Sequence, residues 1–457
     1  MHHHVFAGPR RLVTLTLVAA LLAGCGGGSS AGSSVPVAAT ATGTVTKAAA
    51  TSKIQHIIVV ILENRSFDNL FHFLDHSRAD VGDFGFDHLG NKVMLKPESF
   101  TETSDYSHDY TDFVTEFNGG ANNGWDLNSQ KTGDPLYQYS YLPQSEVQPY
   151  LDITSEFATS DRFFHGITAP TFPSHVEIGA STTFGVFGNP SVGIPWGCDA
   201  AAGTTTVSLD PTGKPIPGPF PCFTGQSIYD LLDRKGVTWR YYSEPEGKSI
   251  SGNLVIPAAF RSTRFGSDWN KNIAADDKEI NAALTSGTGL PQVSYVIPDS
   301  SSTDHPGFTS LGPTYVANLV NNLGASSYYN NTLMIVTWDD WGGCFDHVVP
   351  KKRPDGSQLS YRKPVLLVGG YVKHNYISHV ETEDASINKT IEEVFNLGSL
   401  GAHDVFAAPF DDALDFTQTP PAFKPINPAF VYSPTTPGAS IVPVPITKLG
   451  KLGPFKS

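Results

Sequence analysis

The stretch IQHIIVVILENRSFDNLFHFL, Ile54–Leu74, decides the fold. Ile57–Leu62 is an unbroken apolar run, the pattern of a strand covered on both faces, as in a parallel sheet flanked by helices. It stops abruptly at Glu63-Asn64-Arg65-Ser66. A carboxylate and an amide therefore stand at the C-terminal end of a buried strand, where open α/β sheets place their ligands.

A second stretch, TLMIVTWDDWGGCFDHVVP (332–350), repeats the device. Its apolar run ends in Asp339 and Asp340, followed by Gly342-Gly343 and then Asp346-His347. Adjacent carboxylates repel unless a cation lies between them, and hard oxygen ligands suit divalent ions. Turn formation or helix capping is the alternative use of the same residue types. If one sheet contains both strands, Glu63, Asn64, Asp339 and Asp340 meet at one edge and form an oxygen-rich pocket for a divalent ion.

The third stretch is HGITAPTFPSHVEIGAST, His165–Thr182. Thr171 lies between Pro170 and Phe172-Pro173, ahead of a helical pattern. A hydroxyl is a weak nucleophile until a base or metal lowers its pKa, and a helix N-terminus favours phosphate. Taken alone, the segment also reads as a plain helix start.

Outward from these segments, QVSYVIP (292–298) and KPVLLVGGYV (363–372) read as strands. GQSIYDLLDRKG (225–236), GPTYVANLVNNLG (312–324) and DASINKTIEEVFNLG (384–398) read as helices ending at Gly, the last with Asp384 as N-cap. This alternation predicts an α/β fold with a mainly parallel sheet and helices on both faces. Long Gly/Asn/Pro-rich stretches, 75–150 and 186–224, are expected to be functional loops with small excursions. Residues 417–457 read as a Pro-rich tail, an extended strap or a disordered end.

A net charge of −14 with no basic cluster argues against nucleic acid and against electrostatic docking on anionic lipid. At the N-terminus, Arg10-Arg11 and the apolar run Leu12–Ala23 suit an export signal. Its end, Leu22-Ala23-Gly24-Cys25, resembles a bacterial lipobox. The expectation is a signal over 1–25, an exported chain anchored to the membrane through lipidated Cys25 or secreted, and a flexible linker over 26–52. Cys198 and Cys222 are placed to close a loop disulfide in an oxidising compartment, leaving Cys344 over.

Taken in order, ENRSFDN (63–69), DRFFHGITAPTFPSH (161–175), DHP (304–306) and TWDDWGGCFDHVVP (337–350) resemble the bacterial phosphoesterase family that contains phosphatidylcholine-type phospholipases C and acid phosphatases. SHDY (107–110) and YRKPVLLVGGYVKHNYISHVETEDASINKTIEEVFNLGSL (361–400) support the match, which spans a catalytic region over 53–416. The resemblance implies an alkaline-phosphatase-like three-layer α/β/α fold. It makes Glu63, Asn64, Asp339 and Asp340 ligands of one divalent ion of unspecified identity, and Thr171 the nucleophile completing that ion's shell. His108, His305 and His347 match histidines around the phosphoryl group. The implied chemistry is hydrolysis of a phosphate ester or phospholipid through a phospho-threonine.

Two departures qualify the match. Pro173-Ser174 stands where many members have Pro-Asn, and the additional C-terminal β modules of the family's phospholipases are not expected here, which favours a broad phosphatase or phosphoesterase without excluding a lipid substrate. A phosphodiesterase or sulfatase of the same superfamily, or a lipid-anchored protein holding metal without catalysis, are the other readings. Arg65 and Arg362 are expected in structural salt bridges.

Overall fold

The computed structural model describes residues 53–101, 104–128, 136–246, 249–267, 269–274, 276–306 and 310–430. The expected signal segment, Cys25, the linker and residues 431–457 of the tail lie outside the described residues.

The first apolar run is strand β1 (His56–Leu62). The remaining strands of its sheet are β2 (Ala158–Ser160), β3 (Trp239–Tyr242), β4 (Val293–Val296), β5 (Thr332–Trp338), β6 (Val365–Val368) and β7 (Tyr376–Ser378). Their order is β3-β4-β1-β5-β6-β2-β7. All neighbours are parallel except β6, which runs antiparallel to both β5 and β2. Consecutive residues Ile57–Leu62 are each at most 1% exposed, so side chains of both parities are covered and both faces of the sheet carry a layer. Each such branched side chain contributes about 1.5–3 kcal/mol by leaving water.

The principal helices are α1 (Phe67–Phe71), α2 (Gln144–Glu156), α3 (Thr171–Ala180), α4 (Ile228–Lys235), α5 (Gly312–Ala325) and α6 (Asp384–Phe395). α2 packs on α5, whereas α3 packs on α6 and α4; these groups are the outer layers of the α/β/α sandwich. α4 ends as expected at Gly236, in the left-handed conformation. α6 differs from expectation at both ends. Glu383 is its N-cap in a reciprocal box with Ser386, and it closes on left-handed Asn396, a residue whose short amide tolerates that conformation. Asp384 lies one residue inside, and its carboxylate is directed instead at Lys363 and the Gly166 N–H. α5 runs through Gly324, whose missing side chain admits the Phe423 ring: a Cβ there would lie 2.3 Å from it.

Small excursions occupy the long loops, including a hairpin of Phe84–Phe86 with Lys92–Met94 and another of Val207–Leu209 with Pro215–Pro217. Trp125, Tyr139, Trp341, Phe345 and Tyr361 form a second apolar cluster beneath the first of them. Cys198 and Cys222 are disulfide-bonded and Cys344 is free and buried. Residues 421–430 are extended and strap α5: Asn321 exchanges two 2.8 Å hydrogen bonds with the Ile426 backbone, and Thr314 donates to the Pro428 carbonyl.

Candidate active site

β1 and β5 pair in parallel with Leu62 opposite Trp338, so the residues that follow each strand emerge side by side. The Asp339 N–H extends the ladder to the Leu62 carbonyl at 2.9 Å. Asn64 turns into the left-handed region at φ 62° and donates its N–H to Asp339 Oδ1 at 3.0 Å. The Asp340 N–H shares that oxygen at 2.8 Å, and the Gly342 N–H occupies Asp340 Oδ1 at 2.7 Å. One oxygen of each aspartate is thus held by backbone and the other is left to the pocket.

Those remaining atoms point to a ligand. Glu63 Oε1, both amide atoms of Asn64, Asp339 Oδ2, Asp340 Oδ2 and both ring nitrogens of His175 are buried without a hydrogen-bond partner among the described residues. Each orphan of this kind costs roughly 1–3 kcal/mol, so such a concentration fits a group that ligates a cation. The electrostatics agree. Burial and the charges of Asp339, Asp340 and Asp105 hold the Glu63 carboxyl well above its ordinary range. Burial, with Asp340 beside it, pushes Asp339 up to about 8, and burial raises Asp340 as well. At 4 Å two carboxylates repel by about 4 kcal/mol in a protein-like dielectric, a cost that a divalent ion reverses in sign.

Histidines ring the same edge. His108 donates Nδ1–H to the Tyr106 carbonyl and holds Nε2 3.5 Å from Asp340 Oδ2. Burial alone would lower its pKa, yet the Asp340 and Asp105 carboxylates outweigh burial and push it up to about 9. His305 donates Nδ1–H to the Pro306 carbonyl, which leaves Nε2 as an acceptor 3.9 Å from Glu63 Oε2. Burial, opposed by Asp105, depresses its pKa. His175 lies in α3 with Nε2 3.8 Å from Asp339 Oδ2, and burial with the Lys363 charge pushes it down to about 3, so the ring is neutral. Thr171 opens α3 one turn before His175, on the same helical face, and is 8% exposed. α3 therefore meets the acidic pair through His175, with the Thr171 hydroxyl one turn nearer the helix N-terminus.

The structure brings Glu63, Asn64, Asp339, Asp340, His108 and His305 to one place and sends His347 to another. His347 Nδ1 lies 2.6 Å from Asp68 and Nε2 2.9 Å from Asp80. Asp68, Asp346 and His347 offer ligand atoms within 4.8 Å of one another, a spacing that suits a metal. A cation already fills that role: Arg362 forks onto Asp346 at 2.9 and 3.0 Å and reaches Asp68 at 3.0 Å. The salt bridge expected of Arg362 is thus present. Arg65 differs, donating to the Asp304 carbonyl and lying over the Phe100 ring.

Three contributors escaped the sequence reading. His175 stood inside the quoted PTFPSH segment, and its i+4 spacing from Thr171 was the available signal. Asp105 lies three residues before His108 and acts on Glu63, His108 and His305 alike. Lys363 donates to the Asp339 carbonyl at 2.7 Å and pairs with Asp384 at 2.5 Å, bracing the strand end from below; nothing in its local sequence distinguished it from a surface lysine.

The Phosphoesterase family profile matches residues 54–398, which makes the chain a hydrolase of phosphoric esters. The chain belongs to the Phosphoesterase family. It is 23% identical over 418 residues to non-specific phospholipase C6 of Arabidopsis thaliana, covering 81% of this chain and 74% of that protein. It is 25% identical over 341 residues to phospholipase C A of Mycobacterium tuberculosis, covering 66% of this chain and 61% of that one. Among solved structures it is similar to a protein in the alkaline phosphatase superfamily from Vibrio parahaemolyticus, with TM-score 0.36, 10% identity, and coverage of 83% and 75%.

Proposed function

We propose that the chain is a metal-dependent phosphoric ester hydrolase, of the phospholipase C or acid phosphatase type, acting through Thr171. The observation that carries this reading is the set of buried, unpartnered ligand atoms on Glu63, Asn64, Asp339 and Asp340 beside the helix that starts at Thr171. A divalent ion held by those four side chains, with Thr171 completing its shell, would lower the pKa of the Thr171 hydroxyl and polarise a phosphoryl oxygen.

Thr171 Oγ1 releases its proton to solvent as it attacks phosphorus in line with the ester oxygen, the P–O bond to the alcohol breaks, and a phospho-threonine forms. His108, with Nδ1–H held by the Tyr106 carbonyl and Nε2 directed at the acidic edge, donates Nε2–H to the leaving oxygen. Water then attacks phosphorus from the vacated side and gives its proton to His108, the P–Oγ1 bond breaks, and Thr171 Oγ1 regains a proton from solvent. His305 keeps its Nδ1–H on the Pro306 carbonyl, which orients Nε2 beside Glu63 at the same edge. His347 has no part in this scheme, because both of its nitrogens are engaged by carboxylates.

The disulfide and the lipobox-like Leu22–Cys25 support export, with Cys25 as the membrane anchor. The decisive experiment assays purified protein on p-nitrophenyl phosphate and p-nitrophenyl phosphorylcholine, with and without chelator, beside Thr171→Ala. Turnover that requires metal and falls roughly 10³-fold or more in Thr171→Ala is expected. The preferred ester separates phosphatase from phospholipase. Bound metal with turnover of neither ester would instead favour a non-catalytic metal-binding protein.

A further inference from the structure

α3 has an unusual first turn. Pro170 at the N-cap offers no side-chain acceptor, and Pro173 has no N–H to cap. The Ser174 N–H closes onto the Pro170 carbonyl at 3.2 Å. The Phe172 N–H, next to Thr171, is met from outside the helix: it donates to Asn189 Oδ1 at 2.8 Å. A donating N–H requires an oxygen acceptor, so chemistry fixes which way the Asn189 amide faces.

Asn189 belongs to the 186–224 excursion, and the same excursion grips the Phe172 side chain. The Phe172 ring lies edge-on to Trp196 at 5.7 Å and against Phe223 at 6.3 Å. Trp196 and Phe223 flank the half-cystines Cys198 and Cys222, which close the excursion on itself. Phe223 is in turn pinned to the body through backbone bonds with Ala259 and Arg261. Phe187, two residues before Asn189, packs its ring 5.7 Å from Tyr110, which follows His108 by two residues. Phe187 and Asn189 precede the cross-linked loop and are tied to it by the Phe187 N–H on the Val207 carbonyl at 2.7 Å and the Ser191 N–H on the Thr205 carbonyl at 2.8 Å, so the excursion touches the neighbours of both the nucleophile and the proton donor.

We propose that Asn189 is a positioning residue for Thr171, and that the disulfide-closed excursion is the clamp that sets the nucleophile turn; this rests on the reading of Thr171 as nucleophile. Asn189 acts by replacing the missing N-cap in trans, fixing the backbone one residue from the attacking hydroxyl. A misplacement of about 1 Å at a reacting atom costs on the order of a hundredfold in rate. Both half-cystines are only partly buried, so a reductant can reach them.

The test compares Asn189→Ala, Asn189→Asp and Thr171→Ala with wild type on p-nitrophenyl phosphorylcholine or p-nitrophenyl phosphate, whichever the wild type turns over. Asn189→Ala is expected to lose about ten- to a hundredfold in kcat with KM, bound metal and thermal midpoint near wild type. Asn189→Asp recovers kcat, because a carboxylate oxygen accepts the same N–H, while its charge raises KM for the anionic ester. Reduction with a phosphine lowers wild-type kcat but leaves the residual kcat of Asn189→Ala unchanged, since the clamp is already released. Wild-type kcat in Asn189→Ala, no recovery in Asn189→Asp, or losses that multiply on reduction would each overturn the clamp. Full activity in Thr171→Ala would overturn the nucleophile assignment itself; an inactive Thr171→Ala beside an unimpaired Asn189→Ala removes the clamp alone.

Discussion

Of the two buried acidic clusters in this fold, one is proposed to hold a divalent ion and the other holds Arg362. Arg362→Met tests that division. Arg362 is fully buried, donates to both oxygens of Asp346 and to Asp68, and also holds the Asp80 and Asp161 carbonyls at 2.8 and 3.0 Å. Removing one partner of a buried pair leaves uncompensated charge and costs about 3–5 kcal/mol. An independent route gives a similar scale. Burial would raise the Asp68 pKa, but Arg362 and then His347 hold it down to about 2 against an ordinary 3.8. The difference corresponds to about 2.5 kcal/mol for Asp68 alone. Because the folded pKa is depressed, this stability is present above the unfolded value and is lost as pH falls towards 2. The deficit of Arg362→Met should therefore be full at neutral pH and narrow as the pH drops below about 4. Urea unfolding of the metal-loaded protein measures it. Elemental analysis of two further variants completes the test: Asp346→Asn is expected to keep its bound metal and Asp340→Asn to lose it. A loss below about 1 kcal/mol in Arg362→Met, or the reverse pattern of metal retention, would refute the assignment.

Further outcomes follow from the same geometry. In metal-free protein Asp339 is raised to about 8 from 3.8, so the folded state binds more protons than the unfolded one and stability falls as pH climbs between those values. A bound divalent ion cancels that loss, so the melting difference between metal-loaded and chelated protein should widen from about pH 5 to pH 8; a flat difference counts against the cluster as the ion's site. His108→Asn should reduce kcat by roughly 10²–10⁴-fold on an ester with a poor leaving group and much less on a nitrophenyl ester, whose alcohol needs no proton. Equal losses on both would deny His108 the role of acid. Gly342→Ala should lose activity and stability together, because φ is 61° and a Cβ would stand 2.5 Å from the Asn64 carbonyl oxygen; circular dichroism melts and turnover of the same preparation check this.

What was legible in the sequence was the chemistry at strand ends. Ile57–Leu62 and Leu333–Thr337 could be read as buried strands because nothing polar interrupts them, and the carboxylates that follow them could be read as a pocket once one sheet was assumed. Strand direction was not legible: KPVLLVGGYV gives a strand, yet no local feature tells that Val365–Val368 runs against its neighbours. Nor was the fate of His347. The motif places it near Asp339 and Asp340 in sequence, but Asp68 and Asp80, distant in the chain, engage both of its nitrogens. α5 runs past Gly324, where the Phe423 ring takes the place of a side chain, and α6 is capped by Glu383 while Asp384 turns to the Lys363 ammonium; both contacts come from residues remote in sequence.

The segment 339–347 explains how one short run of sequence serves both clusters. Asp339 and Asp340 lie at the end of β5 and face the pocket, while Asp346 and His347 face Arg362. Between them Gly342 and Gly343 both adopt positive φ, 61° and 65°. A Cβ on the first would enter the Asn64 backbone, and one on the second would stand 2.6 Å from the Tyr106 Cβ and 2.8 Å from the Ser107 carbonyl oxygen. The chain therefore threads between the end of β1 and the segment that carries His108, and only residues without side chains pass there. That passage fixes the proposed proton donor, the amide of Asn64 and the acidic pair against one another through backbone contacts. It also turns Asp346 and His347 away to the Arg362 site, so that the buried, unpartnered oxygens left at the pocket are those of Glu63, Asn64, Asp339 and Asp340.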